Sequence, residues 1–405
     1  MTEHFIPFRL QDLERLALEG APGGADFTKT ATLLHLLLRH EHAERLARLK
    51  DLYVGFDPNR DTQAIPGQHQ RSDPVAFSHE LKALLERANY AALSQSELQE
   101  AFRTESVFSV KLHTELSDFR ELTIYVRGRR QRQETIRSWF GWRERTLDVP
   151  FFERVLIYIR FQDAEHFPEK RRKKLLFTPA TTQLKLFANV PAADLEMLFP
   201  NSEVRMKTLD KLMIGVPAAV GIAGLIGKIG AVLTFLWIGM HWIGQQARVY
   251  DGPVDHAKLA AEVGLVLGAC VAIYLFIGRQ LMRYRFRKLQ FIKALSDNLY
   301  FRNLDNNAGA FHRVVDEAME EDSKEALLAY RFLAEGPATA AELDAKIEAW
   351  FRRRLQTTVD FEVADGLAKL ARLGLANRTG STWTAVESGV AATLLRERWA
   401  QLAPV

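Results

Sequence analysis

The residues able to do chemistry are few and widely spaced. His35, His40 and His42 cluster in a stretch with helical apolar spacing, and His35 and His42 fall on one face. Two imidazoles on one face can hold a metal, but no Glu stands three residues before any His. That removes the Glu-x-x-His signature of di-iron bundles, and the trio reads as surface or satisfied core histidines. His113 with Glu115 and Asp118 lies in strand-like sequence and reads the same way. Gly221, Gly224, Gly227 and Lys228 look superficially like a phosphate loop, but Ile222 and Ile229 stand where Gly and Ser or Thr are required. The chain has no Gly-x-Ser-x-Gly elbow and no His-Glu-x-x-His helix. Its one cysteine, Cys270, excludes an internal disulfide framework and a Cys-based zinc site. The expectation is a protein with no recognisable catalytic set, no cofactor and no metal.

Charge is the next clue. The 405 residues carry a net +4, with 26% charged and 47% hydrophobic residues. That composition is ordinary for a globular chain of two or three domains. Glu317, Glu321 and Glu325 form an acidic stripe at helical spacing, expected to face solvent or to pair with the basic helix from Arg283 to Lys293. Arg127–Arg132 and Lys170–Lys174 are basic runs, read as solvated loops or as contacts to anionic head groups. The first ten residues match neither a signal peptide nor a transit peptide.

The elements that must position these residues follow from periodicity. Leu10 to about Phe102 reads as helical, most clearly from Thr30 to Leu52. Asp73-Pro74 opens a new helix with a capping Asp and a Pro at the first turn. Ser94 with Glu97 has capping-box spacing. Val107–Leu112, Leu122–Val126, Arg143–Val149, Arg154–Phe161 and Thr182–Val190 are rich in β-branched and aromatic residues and predict a mainly antiparallel sheet. Pro191–Glu196 starts a short helix. Near the other end, Ser323–Leu333, Ala340–Leu355 and Glu362–Leu373 predict three helices, followed by a hairpin over Leu375–Val386 and a last helix. Three helices and a hairpin is the winged-helix order. The candidate recognition helix carries Glu362, Asp365, Lys369 and Arg372 and has no net charge, so nucleic acid is not the expected partner.

Two apolar stretches, Leu212–Ile243 and Leu259–Leu281, are long enough to cross a bilayer, which takes about 20 helical residues. They predict a two-helix transmembrane hairpin, with crossings at about 217–243 and 259–281. Small residues recur at four-residue spacing: Gly227, Ala231, Gly264, Gly268 and Ala272, with Phe235 and Phe276 extending the stripes. In lipid such stripes let helices pack closely. Lys228 and Glu262 are the candidates for a polar pathway through such a pair. Lys228, Arg279, Arg283, Arg285, Arg287 and Lys288 are the expected lipid head-group contacts. The flanking Lys and Arg put both termini in the cytoplasm.

Leu186–Pro200, Leu299–Gly309 and Asp316–Glu325 carry a resemblance. Together with the hairpin, they resemble the transmembrane protein 143 family, whose bacterial members contain the domain of unknown function numbered 3754. The resemblance implies a membrane protein and brings no activity, substrate or catalytic residue.

The expected fold is α+β. An N-terminal helical and antiparallel-sheet domain spans 1–210, the transmembrane hairpin 211–282, and a C-terminal helical domain 283–405 that ends in a winged-helix-like unit at about 323–402. The expected partners are the lipid bilayer with its anionic lipids and a protein partner or a second copy. The expected role is a membrane-tethered interaction or scaffold protein of the bacterial inner membrane, or of a mitochondrial membrane if the chain is eukaryotic. A transport component using Lys228 or Glu262 and a membrane-anchored enzyme are the alternatives.

Overall fold

The structure is a computed structural model. It describes residues 4–63, 65, 72–94, 96–98, 111–138, 143–173, 175–205 and 302–402, with isolated helical positions between 237 and 293. For 111–113, 134–138, 143–147 and 203–205 it describes the backbone alone. Two compact units are present: 1–107, 115–201 and 301–405 make the first, and 108–114 with 202–300 make the second.

The first unit begins with α1 (Leu10–Leu18), α2 (Gly24–Tyr53) and α3 (Pro74–Arg87). Asp73 starts α3 by accepting the amides of Val75 and Ala76, as its sequence predicts. The Ser94 and Glu97 side chains each accept the other's backbone N–H, completing the capping box. A short β1 (Ala91–Ala92) then joins two long strands, β3 (Phe119–Ser138) and β4 (Arg143–Phe161). Between β1 and β3 lies β2 (Lys111–His113), which belongs to the second unit and pairs there with β6 (Glu203–Arg205). The chain continues through α4 (Glu169–Arg172), β5 (Thr182–Pro191) and β7 (Asn303–Asn306). The sheet is antiparallel, in the order β1-β3-β4-β5-β7.

Next comes α5 (Ala308–Leu333), then β8 (Ala338–Thr339), α6 (Ala340–Leu355) and α7 (Val363–Arg372). The hairpin β9 (Ala376–Thr379) and β10 (Thr382–Ala385) follows, and α8 (Ser388–Leu402) closes the unit. β8 adds to the hairpin, giving a small sheet in the order β8-β10-β9.

Helix α5 joins two cores. Its first half puts Phe311 and Val314 against Tyr53, Phe77, Tyr158 and Leu186, between the large sheet and α2 and α3. Its second half puts Leu328, Tyr330 and Leu333 among Phe27, Leu34, Ile347, Phe351 and Leu370. In β4, Leu156 and Tyr158 face the helices. The alternate Ile157 and Ile159 are buried on the opposite face, as strand periodicity requires.

Several expectations are corrected here. Among the described residues no helix is long and apolar enough to cross a membrane. The longest described helices, α2 with 30 residues and α5 with 26, have the length for a crossing but are studded with charge. This overturns the expected transmembrane hairpin, the multi-pass inner-membrane location and the membrane-tethered roles built on them. The two apolar stretches themselves lie mostly outside the described residues, as does Cys270. The run Arg127–Arg132 is not a loop but part of β3, and Arg127 in it is buried. The strands expected at Leu122–Val126 and Arg143–Val149 are pieces of one ladder that pairs Phe119 with Phe161 and Ser138 with Arg143.

Candidate functional site

The stripe Glu317, Glu321, Glu325 does not face solvent. From Glu321 to Leu333 every residue of α5 is buried, including Glu321, Asp322, Lys324 and Glu325. A charged helix surface can be buried only if each charge meets a partner, because the effective penalty is several kcal/mol per ion. Most of the partners come from segments far away in the chain.

Asp322 is the centre. Its Oδ2 accepts from His42 Nε2 at 2.9 Å and from Arg87 Nη1 at 3.3 Å. Its Oδ1 faces Lys369 Nζ at 2.8 Å. Lys369 also donates to Glu325 Oε2. One ammonium from α7 is therefore gripped by two carboxylates of α5, while His42 of α2 and Arg87 of α3 supply the remaining partners. Burial works against ionising Asp322, but the hydrogen bonds from His42 and Lys369 prevail and hold it well below the usual carboxylate range. Glu325 goes the other way: burial pushes it up to about 7, although Lys369 opposes the shift. Burial alone would lower Lys369, yet Glu325 and Asp322 raise it.

A second group lies one turn away. Glu321 Oε1 accepts from Lys324 Nζ at 2.7 Å, and Oε2 accepts from the Ile6 amide at 3.1 Å and Asn89 Nδ2 at 3.2 Å. Glu317 takes the Tyr90 hydroxyl at 2.7 Å and Arg127 Nη2 at 3.1 Å. The Arg127 guanidinium is sandwiched between the rings of Phe5 and Tyr90, at 4.4 and 4.7 Å from their centroids. Burial pushes the Tyr90 hydroxyl far up, so it stays a donor.

Histidine, carboxylates and lysine together are the parts of an acid–base site, but here they are buried against one another. His42, Asp322 and Lys369 have side chains only 2–6% exposed. Two surface cavities of about 340 Å³ each lie elsewhere, one lined by Gly23, Asp26, Glu387 and Ser388 and the other by Arg129, Arg130, Phe151 and Phe152. Among the described residues no group of three or more His, Cys, Asp or Glu could hold a metal ion. The arrangement joins helices to one another.

The residues singled out by sequence for helix packing, lipid contact and a polar pathway fall in the second unit. Gly227, Lys228, Ala231, Phe235, Glu262, Phe276, Arg287 and Lys288 lie outside the described residues, and with them the pairings that helix packing would need. Gly264, Gly268, Ala272, Arg279, Arg283 and Arg285 are helical and exposed. The network of α5 was missed, although its pieces were visible. His42, Lys369 and the glutamate stripe each stand out in the sequence, but nothing in it shows that they meet.

Residues 152–309 match a family model described as protein of unknown function (DUF3754), which supports the DUF3754 family. The match takes in β5, the turn after it and β7, and ends as α5 begins, before the ionic network. No solved structure matches the chain.

Proposed function

We propose that the protein is a non-catalytic interaction protein, and that 308–385 is a winged-helix-like unit converted to a protein-contact module. The element order supports the fold reading: α5, β8, α6, α7, then the hairpin β9–β10, with β8 completing a sheet in the order β8-β10-β9. In a nucleic-acid reader of this class α7 would offer its basic residues to the duplex.

The observation that carries the functional reading is where those basic residues go. Lys369 is buried between Asp322 and Glu325. Arg372 makes a two-pronged pair with Glu41 of α2, at 2.6 and 2.9 Å. The face that would read nucleic acid is turned onto the protein's own helices. Kinship with the transmembrane protein 143 family is a finer proposal. It rests on the sequence motifs and adds no activity.

The test is a titration of the full chain with duplex DNA and with single-stranded RNA at physiological salt. Binding no tighter than the nonspecific range, on the order of 10⁻⁴ to 10⁻⁶ M, is expected. Sequence-dependent binding at nanomolar concentration would overturn the reading.

A further inference from the structure

The segment His4–Phe8 precedes α1 and has no regular structure, yet it is tied down at several points. The Ile6 side chain is completely buried. Its backbone is gripped from both sides: the N–H donates to Glu321 Oε2 at 3.1 Å, and the C=O accepts from Lys324 Nζ at 3.2 Å. Asn89 Nδ2 donates to the His4 carbonyl at 3.4 Å. Phe5 covers Arg127, and Phe8 stacks on Phe351 at 6.0 Å between centroids.

Glu321 and Lys324 are a buried ion pair, with side chains 1% and 3% exposed. Such a pair is tolerated only when its remaining lone pairs and protons are satisfied. Here two of the completing partners are the N–H and C=O of one residue. Strand addition satisfies an extended peptide with another backbone. In this chain an acid and a base on one helix do it, while the side chain joins an apolar cluster.

We propose that the groove over α5 is a binding site for a short peptide with an aliphatic residue between two aromatic ones and a tight turn at proline, and that the chain fills it with its own residues 4–8, in which the Phe8 N–H donates to the Ile6 C=O at 2.8 Å. The class of ligand follows from the groove. The Glu321–Lys324 pair reads one backbone unit, the apolar cluster around Ile6 takes an aliphatic side chain, and Arg127 with Tyr90 takes an aromatic ring. The site stands independently of the winged-helix reading, because none of these contacts uses α7.

The test cuts the covalent link and asks whether the ligand stays. A protease site is inserted in the full chain between half-buried Phe8 and exposed Arg9, and the protein is cleaved under native conditions. The expected result is that the released segment co-elutes with the rest on gel filtration. It should exchange with a labelled synthetic peptide of residues 1–9. A peptide carrying Ile6→Asp should bind at least ~10-fold more weakly, since it loses the burial of an aliphatic side chain. Lys324→Met in the cut protein should weaken the parent peptide by ~10-fold or more, the scale of a hydrogen bond to a charged group. Loss of the segment from a remainder that keeps its circular dichroism and melting transition would overturn the proposal. If cutting unfolds the remainder, refolding by added parent peptide supports the proposal, and failure to refold overturns it. Equal binding of the Ile6→Asp peptide also overturns it, and that comparison leaves the protein unchanged.

Discussion

Glu325 is an acid of α5 in which burial outweighs the pull of its lysine partner. Lys369 is shared with Asp322, which holds the ammonium on its other side. Asn89 approaches both Glu325 and Glu321, placing two acids within reach of one amide. Burial raises Glu325 from 4.5 to about 7, so the native state binds this proton more tightly than the unfolded chain does. The sign of the consequence is fixed by linkage. Stability from this group is fully present below pH 4.5 and is lost as pH rises toward 7. Asp322 behaves oppositely: its lowered value gives stability that is lost only in acid, below the ordinary Asp range. The two windows do not overlap. Glu325→Gln should therefore flatten the fall in unfolding free energy between pH 5 and pH 8, measured by urea titration at each pH. Parallel curves for parent and variant would show that Glu325 does not titrate there. The acidic stripe that contains Glu325 was legible in the sequence as a pattern. Its burial was not, because helical spacing says which residues share a face and not what covers it. The covering residues, His42, Arg87 and Asn89, lie more than two hundred positions upstream.

At the scale of elements, the contact that matters is α7 on α5. Gly366 makes it possible. A Cβ at this position would stand 2.9 Å from the Glu325 carbonyl oxygen and 3.0 Å from Ala329 Cβ. In an exposed helix Gly→Ala stabilises by roughly 1 kcal/mol. Here the methyl group must push α7 away from α5, and overpacking of this kind costs about 1–3 kcal/mol. Gly366→Ala should lower the melting temperature, and with it the protection of α7 amides against hydrogen exchange. A raised melting temperature would mean that α7 does not sit this close. Element starts were the most legible part of the fold. Asp73-Pro74, Ser94 with Glu97 and the strand at Thr182–Val190 all appear where local chemistry puts them. Strand length was not legible, since β3 and β4 run on through polar, arginine-rich sequence that lacks the usual strand composition. Their ladder is held by pairing with each other, which composition does not encode. The expected hairpin rested on apolar length in the sequence, whereas among the described residues no helix combines the length of a crossing with the required apolarity.

Taken as a whole, the first unit is tied together by one helix. The front of α5 belongs to the core beneath the large sheet and its rear to the core shared by α2, α6, α7 and α8. Its buried charges are met from both directions, by Ile6, His42, Arg87 and Asn89 on one side and Lys369 on the other. An independent C-terminal domain would fold without the rest of the chain. This one should not. Cut free as residues 302–405, it would expose the apolar face that meets Phe27, Leu34 and Leu38. It would also leave Asp322 without His42 and Arg87, and Glu321 without Ile6 and Asn89. A buried charge deprived of its partner costs roughly 3–5 kcal/mol, comparable to the whole stability of a small domain. The fragment should therefore show helical circular dichroism with no cooperative melt, while the full chain melts in a transition that includes Trp350 and Trp383. If 302–405 instead melts cooperatively within a few degrees of the full chain, the unit is self-sufficient. Its attachment through α5 and α7 would then be incidental, and the reading of α7 as an internal docking face would fall.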